Sequence, residues 1–160
     1  MSADLSKVPL IARREIEARI VAPLIEAFGA ELGREKALAQ LERVIAQLAL
    51  ASGQEMARQV TENTIAALDT VVRFWGYDSA MEVERLAQNN QRYDFNVRRC
   101  RYAEMYRELG LADLGLVLSC QRDFAFFEGF NPRIKLTRTQ TIMQGADHCD
   151  FRFSLRGEDE

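Results

Sequence analysis

The chain has 160 residues, of which 48% are hydrophobic and 28% charged, and its formal net charge at pH 7 is −3. This length and composition are typical of a globular domain that buries its own core without metal or disulfide bonds. The small negative charge argues against a nucleic acid partner. There is no apolar signal core and no run of ~20 apolar residues, so we expect a cytoplasmic protein with no membrane partner.

The first half of the chain has apolar residues at the 3.6-residue period of helices. One helical run covers residues 8–32, where Pro23 predicts a kink or the meeting of two helices. A second run covers residues 34–60, which Gly53 is expected to weaken or break. Because both runs are amphipathic, we expect them to pair two copies of the chain and predict a homo-oligomer, most simply a dimer.

A third helix is predicted at residues 61–74, with Gly76 as its end. The pattern then changes to the two-residue alternation of half-buried strands. Residues 81–88 and 92–99 flank a turn-prone Asn-Asn pair, and we predict a β-hairpin there.

The rest of the chain repeats this order of elements. We predict a short helix at residues 102–108, a longer one at 112–127, and two strands at 133–143 and 149–155. The fold class is therefore α+β, with N-terminal helices packed on a four-stranded antiparallel sheet made of two hairpins separated by helices. We assign residues 1–160 to a single domain with a helical part, 1–78, and a sheet-and-helix part, 79–156.

The reactive residues are concentrated in the second half, which contains all three cysteines and the only histidine. In a reducing compartment the odd number of cysteines favours free thiols, metal ligands or a nucleophile over disulfides. Cys120 and Asp123 share a helical face and could act as nucleophile and base or as metal ligands, although a core residue beside a solvated charge gives the same pattern. No C-x-x-C pair supports a metal site built from these two residues with Cys100 and Cys149.

Alternation along the last two strands predicts that Arg138 points inward together with Cys149. An inward arginine requires an anionic partner, either a protein carboxylate or an acidic group of a ligand. His148 points to the opposite face from Cys149, so these two side chains do not form a catalytic pair. Glu128 is a further candidate for the cleft, and we expect the loop at residues 128–132 to shape its entrance.

Three segments within residues 93–153 carry a resemblance to a known family. They are F-N-V-R-R-C-R-Y-A-E-M-Y-R-E-L-G, L-S-C-Q-R-D and N-P-R-I-K-L-T-R-T-Q-T-I-M-Q-G-A-D-H-C-D-F-R-F. In these segments the chain resembles the L-2-amino-thiazoline-4-carboxylic acid hydrolase family, at positions that include Cys100, Cys120, Asp123 and Cys149. The closing G-x-x-x-C-x-F-R-F is also similar to the end of 4-vinyl-reductase-type small-molecule-binding domains, whose fold is helices on a four-stranded antiparallel sheet.

The resemblance implies a hydrolase that opens a non-peptide C–N bond in a small cyclic amidine or related ring bearing a carboxylate, with no cofactor. In this hypothesis Cys120 or Cys149 attacks the ring, or Asp123 activates water. The alternative is a non-catalytic module that binds a small molecule or a metal and uses Arg138 to hold an anionic ligand. The predicted catalytic residues are Cys120, Asp123 and Cys149, and the predicted substrate-binding residues are Arg138, Cys100 and Glu128.

Overall fold

The structure is a computed structural model that describes residues 7–157, and it begins with two long helices. Helix α1 (Leu10–Leu32) continues through Pro23, so the alternative of two helices meeting there is wrong. Helix α2 (Arg34–Gln59) likewise continues through Gly53, and the expected interruption there is also wrong. Within the described residues, no helix has the length and apolarity that a membrane span requires.

The third helix is shorter than predicted. A 3₁₀ turn at Ile65–Ala67 leads into α3 (Leu68–Trp75), which ends at Gly76 as predicted. The four residues before this turn are not helical, because side-chain hydrogen bonds hold them against the end of another helix. Asn63 donates from its side-chain amide to the carbonyl of Phe130 at 3.0 Å.

Four strands form a single antiparallel sheet in the order β1-β2-β4-β3. The predicted hairpin is confirmed, because β1 and β2 pair and the side chain of Asn89 accepts the backbone N–H groups of Gln91 and Arg92 at the turn. Strand β4 joins the two halves by pairing with both β2 and β3. The bounds are β1 (Met81–Gln88), β2 (Arg92–Cys100), β3 (Ile134–Thr137) and β4 (Cys149–Leu155).

The strand predicted at residues 133–143 ends early, at Thr137. The side chain of Asp150 accepts the backbone N–H groups of Thr139 and Gln140, each at 2.9 Å, in place of a neighbouring strand. A 3₁₀ turn at Ile142–Gln144 follows. Because Asp150 is ten or more residues away, these hydrogen bonds depend on how the chain folds back, and alternation alone does not reveal them.

The segment between the two strand pairs is helical, with bounds α4 (Arg101–Glu108), α5 (Ala112–Gly115) and α6 (Arg122–Phe130). A π-helical turn at Leu116–Cys120 separates α5 from α6, and the Gln121 N–H donates to the Leu116 carbonyl at 2.8 Å. The helix predicted at residues 112–127 therefore contains a π turn and extends to Phe130. The predicted loop at residues 128–132 is wrong, since its first three residues are helical.

Helices α2 and α6 cross at two glycines. A Cβ atom on Gly53 would lie 1.9 Å from the carbonyl oxygen of Phe126, and one on Gly129 would lie 2.1 Å from that of Leu50. Only glycine permits so close an approach of the two backbones. Because α6 is held against α2 in this way, the crossing also positions the first turn of α6 next to the sheet.

Helices cover one face of the sheet, which confirms the predicted α+β class. The main core lies between that face and helices α2, α3 and α6, and its largest fully buried side chains are Tyr93, Phe95, Phe127, Phe130 and Phe153. A second cluster packs α1 against α4, α5 and the π turn through Ala18, Ala103, Tyr106 and Leu118. The assignment to one domain stays a prediction, and its residues 1–6 and 158–160 lie outside the described part.

Candidate functional site

A cavity of about 370 Å³ lies between the sheet and the helices. Its walls come from the first half of α1, the second half of α2, the end of α3, the π turn with the start of α6, and the inner face of the sheet. A space of this size suits a small molecule. Five of the six predicted site residues line it, namely Cys100, Cys120, Asp123, Arg138 and Cys149.

Arg138 and Asp123 form an ion pair in the wall of this cavity. Their side chains are only 5% and 16% exposed, and the Arg138 guanidinium donates to Oδ2 of Asp123. A second guanidinium nitrogen donates to the carbonyl of Cys120 at 2.8 Å. The guanidinium also lies 5.1 Å from the ring centroids of Phe124 and Phe151, which hold it by cation–π contacts. The anionic partner that an inward arginine requires is therefore a protein carboxylate.

Local structure brings these two residues together. Arg138 is the first residue after β3, and it keeps the inward direction of Leu136, two positions earlier. Asp123 lies in the first turn of α6, directly after the π turn. Such π turns often occur at functional sites, because they change the direction of the residues that follow.

The surroundings of Asp123 shift the pKa of its carboxyl. Burial raises the pKa of this carboxyl to about 6, and the charge and hydrogen bond of Arg138 oppose a larger rise. A carboxyl with this pKa exchanges a proton near neutral pH, which is the property required of a general acid or base. A perturbed carboxyl in a cavity is also a frequent marker of a functional site.

The three thiols differ in how strongly their surroundings oppose the thiolate. All are free, and burial raises the pKa of each. The pKa of Cys100 rises to about 11, and burial together with the charge of Asp123 raises the pKa of Cys120 further. Burial also raises the pKa of Cys149, but the Ile142 N–H donates to its Sγ at 3.2 Å and Arg138 favours its thiolate.

Two predicted features lie outside this constellation. Glu128 does not line the cavity and pairs with Arg156 at 2.8 Å, so its prediction as a cleft residue is wrong. Because α6 continues to Phe130, Glu128 is five helical positions after Asp123 and its side chain points away from it. His148 bonds to Asp147 at 2.6 Å, apart from the cavity. Among residues 7–157, no group of three or more His, Cys, Asp or Glu side chains is arranged to hold a metal ion.

Four charged residues that line the cavity were not predicted from the sequence. They are Arg13, Arg14 and Glu17 of α1 and Arg122 of α6. An arginine and a glutamate three residues apart are typical of a solvated helix face, and nothing in the pattern distinguishes a pair that faces a cavity. The sequence offers one indication for Arg122, which is that it precedes Asp123. Adjacent residues of a helix share a turn but point in different directions, so this position alone does not predict a shared site.

Comparison with known proteins gives a family and a distant structural likeness. The model of the L-2-amino-thiazoline-4-carboxylic acid hydrolase family matches residues 13–153. No curated protein matches the chain. The solved structures similar to it include the phenol-responsive sensory domain of the transcription activator PoxR with phenol, at a TM-score of 0.48 and 13% identity, covering 88% of this chain and 76% of that one.

Proposed function

We propose that this chain, which belongs to the L-2-amino-thiazoline-4-carboxylic acid hydrolase family, is a hydrolase that opens a non-peptide C–N bond in a small cyclic amidine bearing a carboxylate. The observation that carries the proposal is the buried Asp123 carboxyl, with its pKa raised to about 6, beside three free thiols in one cavity. The carbon between two heteroatoms of such a ring is electrophilic. A thiol with a nearby proton acceptor is suited to attack it.

Cys149 is the nucleophile in this proposal. Its Sγ accepts the Ile142 N–H at 3.2 Å, which favours its thiolate. Burial and the charge of Asp123 raise the pKa of both thiols and the charge of Arg138 lowers both, but the net rise is larger for Cys120, which is therefore disfavoured as the nucleophile. These contacts separate two candidates that the sequence alone leaves equal.

The reaction has two stages. The Cys149 thiol transfers its proton to Asp123 and its sulfur adds to the electrophilic carbon, and the ring C–N bond then breaks as the ring nitrogen takes that proton. Water next attacks the covalent adduct with Asp123 as base, and the Cys149 thiol leaves. Arg138 is a positioning residue here, since its donors already bind Asp123 and the Cys120 carbonyl.

Hydrolysis of L-2-amino-thiazoline-4-carboxylate by the purified protein tests the proposal. We expect turnover by the wild type and a loss of about 10²-fold or more in kcat for Cys149→Ser, because a hydroxyl is a far weaker nucleophile than a thiol. Cys120→Ser is the matched control and is expected to keep most of the activity. Equal activity of the wild type and Cys149→Ser would contradict the assignment of the nucleophile.

A second candidate function is ligand binding without catalysis. The raised pKa of all three thiols favours it, because neutral thiols buried in a cavity are weak nucleophiles. The same experiment distinguishes the two functions. Saturable binding of the thiazoline without any ring opening, in the presence of intact thiols, would favour the binding module.

A further inference from the structure

A second charged cluster lines the cavity, on the side formed by α1 and the start of α6. Arg14 donates to both carboxylate oxygens of Glu17 at 2.8 Å, and Arg122 reaches one of them from α6 at 3.5 Å. The two arginine side chains are 13% and 12% exposed. Two largely buried guanidinium groups thus share one carboxylate, whose own side chain is 39% exposed.

This arrangement leaves positive charge uncompensated. Asp123 neutralises Arg138, and Glu17 neutralises one of the other two guanidinium groups, so one arginine of this set lacks a carboxylate of its own within residues 7–157. Burial, followed by the charge of Arg14, lowers the pKa of Arg122. A buried cation without an equal countercharge is costly, and an anionic ligand removes that cost.

We propose that Arg14 and Arg122 form the subsite that binds the carboxylate of the substrate, which rests on the function proposed above. A guanidinium presents parallel donors that match the two oxygens of a carboxylate. Arg122 lines the cavity, and its contact with Glu17 is long, at 3.5 Å, and uses a single guanidinium nitrogen. The ring is then held with its carboxylate toward α1 and its electrophilic carbon toward Asp123 and Cys149.

Glu17 has a defined part in this subsite. It orders Arg14 through two short hydrogen bonds, but it also competes with the substrate carboxylate for both guanidinium groups. A purely structural salt-bridge cluster predicts that loss of Glu17 leaves ligand affinity unchanged or lowers it. A carboxylate subsite predicts the opposite, because the arginines gain an unpaired charge that the ligand satisfies.

The test uses two probes whose aromatic thiazole ring resists hydrolysis, 2-aminothiazole-4-carboxylate and its neutral carboxamide. Affinity is measured by titration calorimetry, which needs no turnover. Trp75 is the only tryptophan of the chain and lines the cavity, so its fluorescence reports the entry of the probe. The variants are Arg122→Gln, Arg14→Gln and Glu17→Gln. Arg19→Gln is the matched control, since Arg19 pairs with Glu15 on the exposed side of α1.

We expect both arginine variants to weaken carboxylate binding by about tenfold or more, the value of a charge-assisted hydrogen bond, and to leave carboxamide binding unchanged. Glu17→Gln is expected to tighten carboxylate binding, and Arg19→Gln to change nothing. Unchanged carboxylate affinity in both arginine variants, or no binding of the carboxylate to the wild type, would overturn the subsite. Arginine-dependent binding without thiazoline hydrolysis would support the subsite and refute the hydrolase instead.

Discussion

The charge of Asp123 depends on a balance between two opposing effects. Burial raises the pKa of this carboxyl, and the hydrogen-bonded Arg138 guanidinium lowers it, with a result of about 6. Without the guanidinium only the weaker effects of the Arg14 and Arg122 charges would oppose burial, and the carboxyl would stay protonated to a higher pH. Arg138 is therefore the strongest of the effects that allow Asp123 to accept a proton near neutral pH.

This balance predicts the pH dependence of catalysis. Because Asp123 must be ionised to take the thiol proton, kcat/KM is expected to rise with pH through about 6, which is the pKa of the carboxyl in the folded protein. In Arg138→Gln the carboxyl loses the charge that favours ionisation, so the rise should move to higher pH. Measurement of kcat/KM across pH 4 to 9 (roughly the range in which carboxyl and thiol titrate) checks this.

The control for that profile is Arg98→Gln, which removes an exposed arginine that pairs with Glu84 on the open face of the sheet. It should leave the rise near its wild-type pH. If Arg138→Gln lowered kcat/KM at every pH but left the pH of the half-maximal value unchanged, Arg138 would support the fold without setting the pKa of Asp123.

Sequence patterns identified some site residues and missed others for a physical reason. Helical spacing paired Cys120 with Asp123, and strand alternation turned Arg138 inward, because both periods are properties of the local backbone. Arg14 and Arg122 were missed, since they reach the same carboxylate, Glu17, only through the packing of α1 against the π turn that leads into α6. Local spacing carries no information about which helices pack together.

Among the secondary-structure elements, the crossing of α2 and α6 controls the position of the site. Gly53 and Gly129 let the two backbones approach closely, and Asp123 lies in the first turn of α6. The sequence suggests a weak point in α2 at Gly53, because glycine disfavours helices. Tertiary packing reverses that conclusion, since the missing side chain is what permits the contact.

Gly53→Ala is accordingly expected to destabilise the protein. The added methyl group would lie 1.9 Å from the Phe126 carbonyl oxygen, so the helices must separate. Overpacking of this kind costs about 1–3 kcal/mol, which exceeds the ~1 kcal/mol that alanine gains over glycine in a helix. The free energy of unfolding in urea measures the difference.

Gly29→Ala is the matched control, because Gly29 also lies inside a helix but a Cβ atom there meets Arg34 Cα at an ordinary 3.4 Å. This variant should be as stable as the wild type or slightly more stable. If Gly53→Ala were as stable as the wild type, the backbones of α2 and α6 would have to lie further apart than the structure shows.

Most elements follow from local sequence, and the exceptions have a common cause. The hairpin at Asn89 and strand β4 agree with alternation and turn chemistry. The end of β3 at Thr137 and the π turn at Leu116–Cys120 do not, because each depends on a partner distant in sequence. Asp150 takes the backbone donors after β3, and Arg138 binds the Cys120 carbonyl.

Helix α1 presents a long apolar surface to solvent. Five apolar side chains of α1 are between 48% and 59% exposed, namely Ile16, Ile20, Leu24, Phe28 and Leu32. They recur every fourth residue and form a stripe that winds along the helix. A stripe of this length on an isolated chain favours an interaction surface.

We propose that a second copy of the chain covers this stripe, with the two α1 helices antiparallel. In that arrangement Ile20 faces Leu24 and Ile16 faces Phe28. Such self-complementarity is what a two-fold symmetric interface requires. The first half of the same helix lines the cavity, so dimerisation would also brace Arg14 and Glu17.

Sedimentation velocity tests this interface. The wild type is expected to sediment as a dimer and Ile20→Glu as a monomer, because the substitution places two like charges at the centre of the contact. Leu86→Glu is the control, since Leu86 is equally exposed but lies on β1. A monomeric wild type, or a dimer that survives Ile20→Glu, would contradict the α1 interface.

Mass spectrometry of the reacting protein addresses the nucleophile most directly. The wild type is mixed with L-2-amino-thiazoline-4-carboxylate, quenched in acid during turnover, and its intact mass and peptides are determined. We expect a covalent adduct on the peptide that contains Cys149 and no adduct in Cys149→Ser, while Cys120 stays unmodified. Turnover without an adduct on any cysteine, together with an active Cys149→Ser, would show that Asp123 activates water directly and that no thiol attacks the ring.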